Sequence, residues 1–110
     1  DDIDFICQLA RILKPGGKAV IVPLYTHTHY CSYSTPSHFG KGFSDKDAIE
    51  YIRLDIDNIP SSRKYDSHKL KERILDTANH LGLTYKIYVL RNKKEIGNNI
   101  YCHFILEISK

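Results

Sequence analysis

Arg11-Ile12-Leu13-Lys14-Pro15-Gly16-Gly17-Lys18 runs directly into Ala19-Val20-Ile21-Val22-Pro23-Leu24-Tyr25, and the reading of this junction decides the fold. Upstream, Asp1, Asp4, Gln8 and Arg11 recur at spacings of three and four, with Ile3, Phe5, Ile6, Cys7, Leu9, Ala10, Ile12 and Leu13 between them. That period predicts a helix with one wet face and a broad buried one. Asp1, Asp2 and Asp4 favour its N-terminus and Arg11 with Lys14 its C-terminus through the helix dipole, and Pro15-Gly16-Gly17 stops it. Residues 19–24 then form a continuous β-branched run that does not alternate. Such a run reads as a strand buried on both faces, hence a parallel strand of an α/β sheet.

Downstream, residues 26–65 read as an irregular insert. Thr26 to Gly42 holds Ser, Thr, His, Tyr and Gly with no lasting period and is expected to be a loop. Two readings compete over 44–57: Ser44 with Asp47 capping a short helix, or an extended segment at 51–56, where Ile52, Leu54 and Ile56 alternate with Arg53, Asp55 and Asp57. The alternation favours the second. Ser67 as N-cap, Leu70, Ile74, Ala78 and Leu81 as an apolar stripe and Gly82 at C′ predict a second helix. Residues 83–90 and 100–108 read as strands joined by the polar turn 91–99, an antiparallel hairpin. Tyr85, Tyr88, Tyr101 and Phe104 fall on these strands as packing residues.

The order helix, parallel strand, insert, helix, antiparallel hairpin, opened by Leu13-Lys14-Pro15-Gly16-Gly17, resembles the C-terminal half of a Rossmann-like (class I) S-adenosylmethionine-dependent methyltransferase. In that family such a helix delivers the chain to the fifth strand, and a helix plus hairpin supplies strands six and seven. The resemblance covers residues 1–25 well, 66–110 in architecture and 26–65 poorly. It implies an α/β fold over 1–110 as one domain, the C-terminal fragment of a longer one. The family's Gly-rich donor turn and the acidic residue ending its second strand both fall upstream of Asp1, so S-adenosylmethionine is expected for the complete fold and no cofactor for this chain alone. Gly16-Gly17 enters a strand at the edge of the sheet opposite to the one where ligands bind, and is punctuation rather than a phosphate loop.

The absence of any Met agrees with a chain that continues upstream of Asp1. If the first strands lie elsewhere, the 19–24 strand keeps an open apolar edge. Its expected partner is the missing N-terminal half or a second copy of the chain. A non-enzymatic interaction or dimerisation module is the runner-up reading, and a small zinc-binding protein the third.

For a site, the C-terminal end of a parallel strand points Tyr25, His27 and His29 to the ligand side. The resemblance places the segment after this strand beside a small-molecule acceptor, where a His suits a general base because its ordinary pKa lies near operating pH. Arg63 and Tyr65, before the second helix, present a guanidinium and a phenol to a polar acceptor. His27, His29 and Cys31 alternate, and an extended backbone sets all three on one face with His38 nearby in sequence. Structural zinc sites usually show Cys-x-x-Cys or a second tight pair. Neither is present, so no metal is assigned.

Charge excludes some classes. The chain's 110 residues carry 16 Lys+Arg against 13 Asp+Glu. Basic residues in the second half alternate with acids on a helix, as on a solvated face, which argues against a nucleic-acid partner. The longest apolar run is too short for a bilayer. Three cysteines without a paired spacing read as reduced, cytoplasmic thiols.

Overall fold

A computed structural model of the chain describes residues 1–41, 45–97, 99 and 102–110. It is a mixed α/β structure with two three-stranded sheets, divided into two compact units, 1–25 with 70–110 and 26–69. Among the described residues no helix is long and apolar enough to cross a membrane.

The first unit opens with α1 (Asp2–Ile12), closed at its start by a reciprocal capping box in which the Asp1 carboxylate accepts from the Asp4 N–H at 2.9 Å. Only Ile6 and Leu9 are buried. The broad buried face expected from the sequence is therefore narrower, because α1 packs on one side only, and Phe5, Cys7 and Ile12 stay exposed. Then come β1 (Lys18–Ile21), β5 (Thr84–Val89) and β6 (Phe104–Ser109), in the spatial order β1-β6-β5 with both pairings antiparallel. The hairpin has formed as expected, with a short helix, α4 (Lys93–Ile96), inside its connection. Asn98, Ile100 and Tyr101, part of the expected turn and strand, lie outside the described residues.

Two expectations for 19–24 are corrected. The neighbour of β1 is the antiparallel β6, with Ala19 opposite Ile108 and Ile21 opposite Leu106, and among the described residues no parallel strand flanks it. Nor is it buried on both faces: Leu106 and Ile108 are fully buried on one side, while Val20, on the side of Glu107, is 60% exposed. An antiparallel sheet can leave one face to water, and Lys18 pairs with Glu107 there at 3.3 Å. β5 is exposed along its length, so Tyr85 and Tyr88 are surface residues.

The Pro-Gly-Gly turn is tied to the end of the chain. Gly16 N–H donates to the Lys110 carbonyl at 2.8 Å, and Lys110 N–H returns to Gly17 at 3.0 Å, extending the β1–β6 ladder. Gly16 has φ +80° with open space around it, whereas a Cβ on Gly17 meets the Lys14 carbonyl oxygen at 2.8 Å. Gly17→Ala is thus expected to lower stability by about 1–2 kcal/mol, because backbone must give way. Urea unfolding of the two proteins checks this; an unchanged midpoint contradicts the close approach.

The second helical region departs from a single stripe. It runs as α2 (Ser67–Leu70), a π-helical turn (Lys71–Leu75) and α3 (Asp76–His80). The cap is Asp66 rather than Ser67, its carboxylate accepting from Lys69 N–H at 2.7 Å. The π turn brings Ile74 and Leu75 to the core together, and Leu81, expected on the stripe, is 40% exposed. α3 ends in a Schellman motif: Gly82, at φ +76°, donates to Asn79, and buried Leu83 donates to Ala78.

The insert is not irregular. Within it β2 (Cys31–Ser34) pairs in parallel with β3 (Ile49–Ile52) and antiparallel with β4 (Ser62–Lys64). β2 escapes hydropathy because its buried side chains are small and polar. Ser32 and Ser34 are sequestered by bonding Ser61 at 2.9 Å and Glu50 at 3.1 Å, so the strand hides hydroxyls without leaving them unpaired. The extended segment expected at 51–56 starts two residues earlier and already ends at Ile52. Beyond it Leu54 is 81% exposed and Arg53 forks onto Asp55 within a bend, holding that carboxyl below its ordinary range. The alternative cap at Ser44 lies outside the described residues.

Candidate functional site

The second unit gathers most of the sequence-derived candidates. Thr26 bridges in parallel to Tyr65, and His27 N–H donates to the Tyr65 carbonyl at 2.8 Å, so the chain enters β2 already held in place. His27, His29 and Cys31 bring one ligand atom each within 4.8 Å of one another. The two imidazoles meet edge to face at 4.4 Å between centroids. Thr28 Oγ1 lies 3.2 Å from Nδ1 of His27 and 3.3 Å from Nδ1 of His29, between both rings.

Sheet register completes the face. Cys31 sits opposite Ile49 on β3 and Lys64 on β4, and Tyr33 opposite Tyr51. Side chains alternate across a strand, so Cys31, Tyr33, Tyr51 and Lys64 share one side of the sheet. Tyr51 Oη is 2.9 Å from His29 Nε2, its ring stacks on Tyr33 at 5.2 Å, and the Lys64 ammonium lies over Tyr33 at 4.7 Å. Cys31 is fully buried. Burial pushes its thiol up, and the Lys64 charge pulls against that more weakly.

Arg63 and Tyr65 belong to the other side. Arg63 pairs with Ser32, whose side chain faces away from Cys31, and its buried Nε has no hydrogen-bond partner. Tyr65 is buried against Tyr30, their rings stacked at 5.7 Å, and Tyr30 Oη donates to Asp45 at 3.2 Å. Tyr25 is half-exposed in the first unit, after β1. The structure thus brings His27 and His29 together, joins Cys31 to them, and sets Arg63 with Tyr65 apart on the opposite face. No family model, curated protein or solved structure matches the chain.

The chemistry of the His27–His29–Cys31 face is that of a ligand set more than of a nucleophile. An activated cysteine has its pKa lowered by a cation or base, whereas the environment of Cys31 raises it. His38 is engaged elsewhere, its Nδ1 within 3.2 Å of the Thr35 hydroxyl and 3.0 Å of the Ser37 hydroxyl. Sequence reasoning missed Tyr51 and Lys64. Neither has a signal in its own neighbourhood, because only the parallel β2–β3 and antiparallel β2–β4 registers bring them to this face.

Proposed function

We propose that this chain is the acceptor-side half of an S-adenosylmethionine-dependent methyltransferase-like protein, whose donor-binding strands add to the free edge of β1. The observation that carries the reading is the place of β1. Among the described residues its one neighbour is β6, which lies between β1 and β5, and no strand pairs with the edge facing away from the hairpin. Val20 and, just past β1, Val22 at 56% exposure leave apolar side chains of this segment in water. Further strands and their helices are what such a surface accommodates.

In this reading the donor lies on the missing half, and this half borders the acceptor. Tyr25, following β1 where open α/β sheets bind ligands, is the first unit's contact with it. Catalysis is then largely positioning: the acceptor nucleophile is held in line with the donor's methyl group, and water is excluded. The chain alone is expected to show no saturable heat when titrated with S-adenosylmethionine by calorimetry, whereas a protein extended upstream by a strand and a Gly-x-Gly-x-Gly turn binds it. Tight binding by the 110 residues alone contradicts the proposal. Dimerisation through the same edge is the competing occupant, and a monomer in sedimentation at high concentration removes it.

A further inference from the structure

Three side chains at alternate positions of 27–31, a segment that bends at Thr28 and His29 and then enters β2, bring their ligand atoms within 4.8 Å of one another, and none of them is a carboxylate. We infer that His27, His29 and Cys31 form a three-ligand site for a borderline-soft divalent metal ion, zinc foremost, with the fourth coordination position left to water or an exchangeable ligand. Nothing in this inference depends on the methyl-transfer reading.

The donor set selects the metal. Two imidazoles and a thiolate suit zinc and its neighbours among the transition metals, and disfavour magnesium and calcium, which take oxygen ligands. The distances suit it as well. Bonds of about 2.1 Å to nitrogen and about 2.3 Å to sulfur put tetrahedral ligand atoms about 3.5 Å apart. The three observed atoms lie within 4.8 Å, so the set closes by about an ångström, a small rotation for the exposed His27 ring.

The surroundings orient the ligands before any ion arrives. Cys31 is fixed in a ladder with a strand on either side, and His27 is held at its backbone by Tyr65. Tyr51 Oη holds His29 at Nε2 and leaves Nδ1 for the ion, which takes the place of the Thr28 Oγ1 contact there. Metal-bound histidines characteristically carry such an outer hydrogen bond, which fixes ring orientation and tautomer. A cysteine that takes a divalent cation gives up its thiol proton to solvent as the metal–sulfur bond forms. Three protein ligands leave one position open, the arrangement found in catalytic rather than structural zinc sites.

The test is a titration of the metal-stripped whole chain with cobalt(II), followed by displacement with zinc(II). One equivalent of cobalt is expected to bind, with a thiolate-to-cobalt charge-transfer band and the intense visible absorption of a four-coordinate ion. Cys31→Ser removes the charge-transfer band, and the double variant Cys7→Ser/Cys102→Ser keeps it. His27→Ala, an exposed position that leaves the far-ultraviolet circular dichroism unchanged, weakens binding by about 100-fold, and Tyr51→Phe by about tenfold. The inference is overturned if cobalt fails to saturate at one equivalent, if no thiolate band develops, or if His27→Ala binds like the parent chain. Should Cys31→Ser unfold, His27→Ala decides alone.

Discussion

Leu106→Ala is expected to remove about 3 kcal/mol or more from the stability of the first unit. Leu106 has no solvent exposure and sits on the central strand, directly opposite Ile21 on one side and Ile87 on the other. Truncation loses the transfer free energy of the removed methyl groups and leaves a cavity that neighbours anchored in two ladders cannot collapse; measured Leu→Ala costs of this kind run from about 2.7 to about 5 kcal/mol. Against a typical total of about 5–15 kcal/mol, that is a large share of what holds the unit folded. Val20→Ala, on the open face of the same sheet, is expected to cost no more than about 0.5 kcal/mol. Amide exchange along the β5–β6 ladder reads both. A one-residue slip of register exchanges the two faces, so a larger effect at Val20 than at Leu106 contradicts the pairing described here.

The same contrast explains what could be read in the sequence. α1, β5 and β6 carry their own signals: charges at the right ends, β-branched and aromatic runs, and glycine-bearing breaks between them. The burial of β1 was misread because an apolar run records which residues tolerate burial, not whether the chain itself supplies a cover. Val20 would suit either environment. β2 failed for the opposite reason. Cys31, Ser32, Tyr33 and Ser34 have no hydrophobic alternation, and the burial of the two serines becomes favourable only once Ser61, just before β4, and Glu50 on β3 arrive to bond the hydroxyls. The π turn is likewise invisible to a period of 3.6, and it is where the expected stripe loses Leu81 and gains Leu75.

At the site, the alternation His27-Thr28-His29-Tyr30-Cys31 predicts three donors on one face of an extended segment; they do come together, but across a bend at Thr28 and His29 rather than along a strand. The lack of a second tight pair of ligands leaves zinc only a third reading of the sequence. That criterion suits closed structural sites and is silent about open ones with three ligands. What sequence lacked was the tertiary half of the arrangement, Tyr51 on His29 and Lys64 beside Cys31. Arg63 and Tyr65 are the complementary case: their place before the second helix says nothing of the face, and the β2–β4 register sets their side chains away from the Cys31 side.

Replacing either end of the Asp2–Arg73 pair is expected to cost about 3 kcal/mol. The guanidinium forks onto the carboxylate, Nε to Oδ2 at 2.9 Å and Nη2 to Oδ1 at 2.6 Å, and the two side chains are only 14% and 9% exposed for Arg73 and Asp2 respectively. The contact joins the first turn of α1 to the π turn across 71 positions of sequence. Exposed pairs such as Lys71–Asp76 are worth at most about 1 kcal/mol, because solvent screens them and two flexible chains must be ordered. Breaking a pair withdrawn from water is costlier, since the surviving charge loses its partner of opposite sign while remaining mostly desolvated. Asp2→Asn keeps the shape and the first-turn hydrogen-bonding capacity while deleting the charge, so its cost isolates the electrostatic part. Arg73→Met keeps the apolar stem. The double variant is expected to be more stable than the sum of the two losses predicts, with a coupling of about 1–3 kcal/mol in a double-mutant cycle from urea unfolding. Strict additivity within about 0.5 kcal/mol contradicts a direct interaction between these side chains, and would leave Ile6, Leu9 and the packing around them as what holds α1 in place.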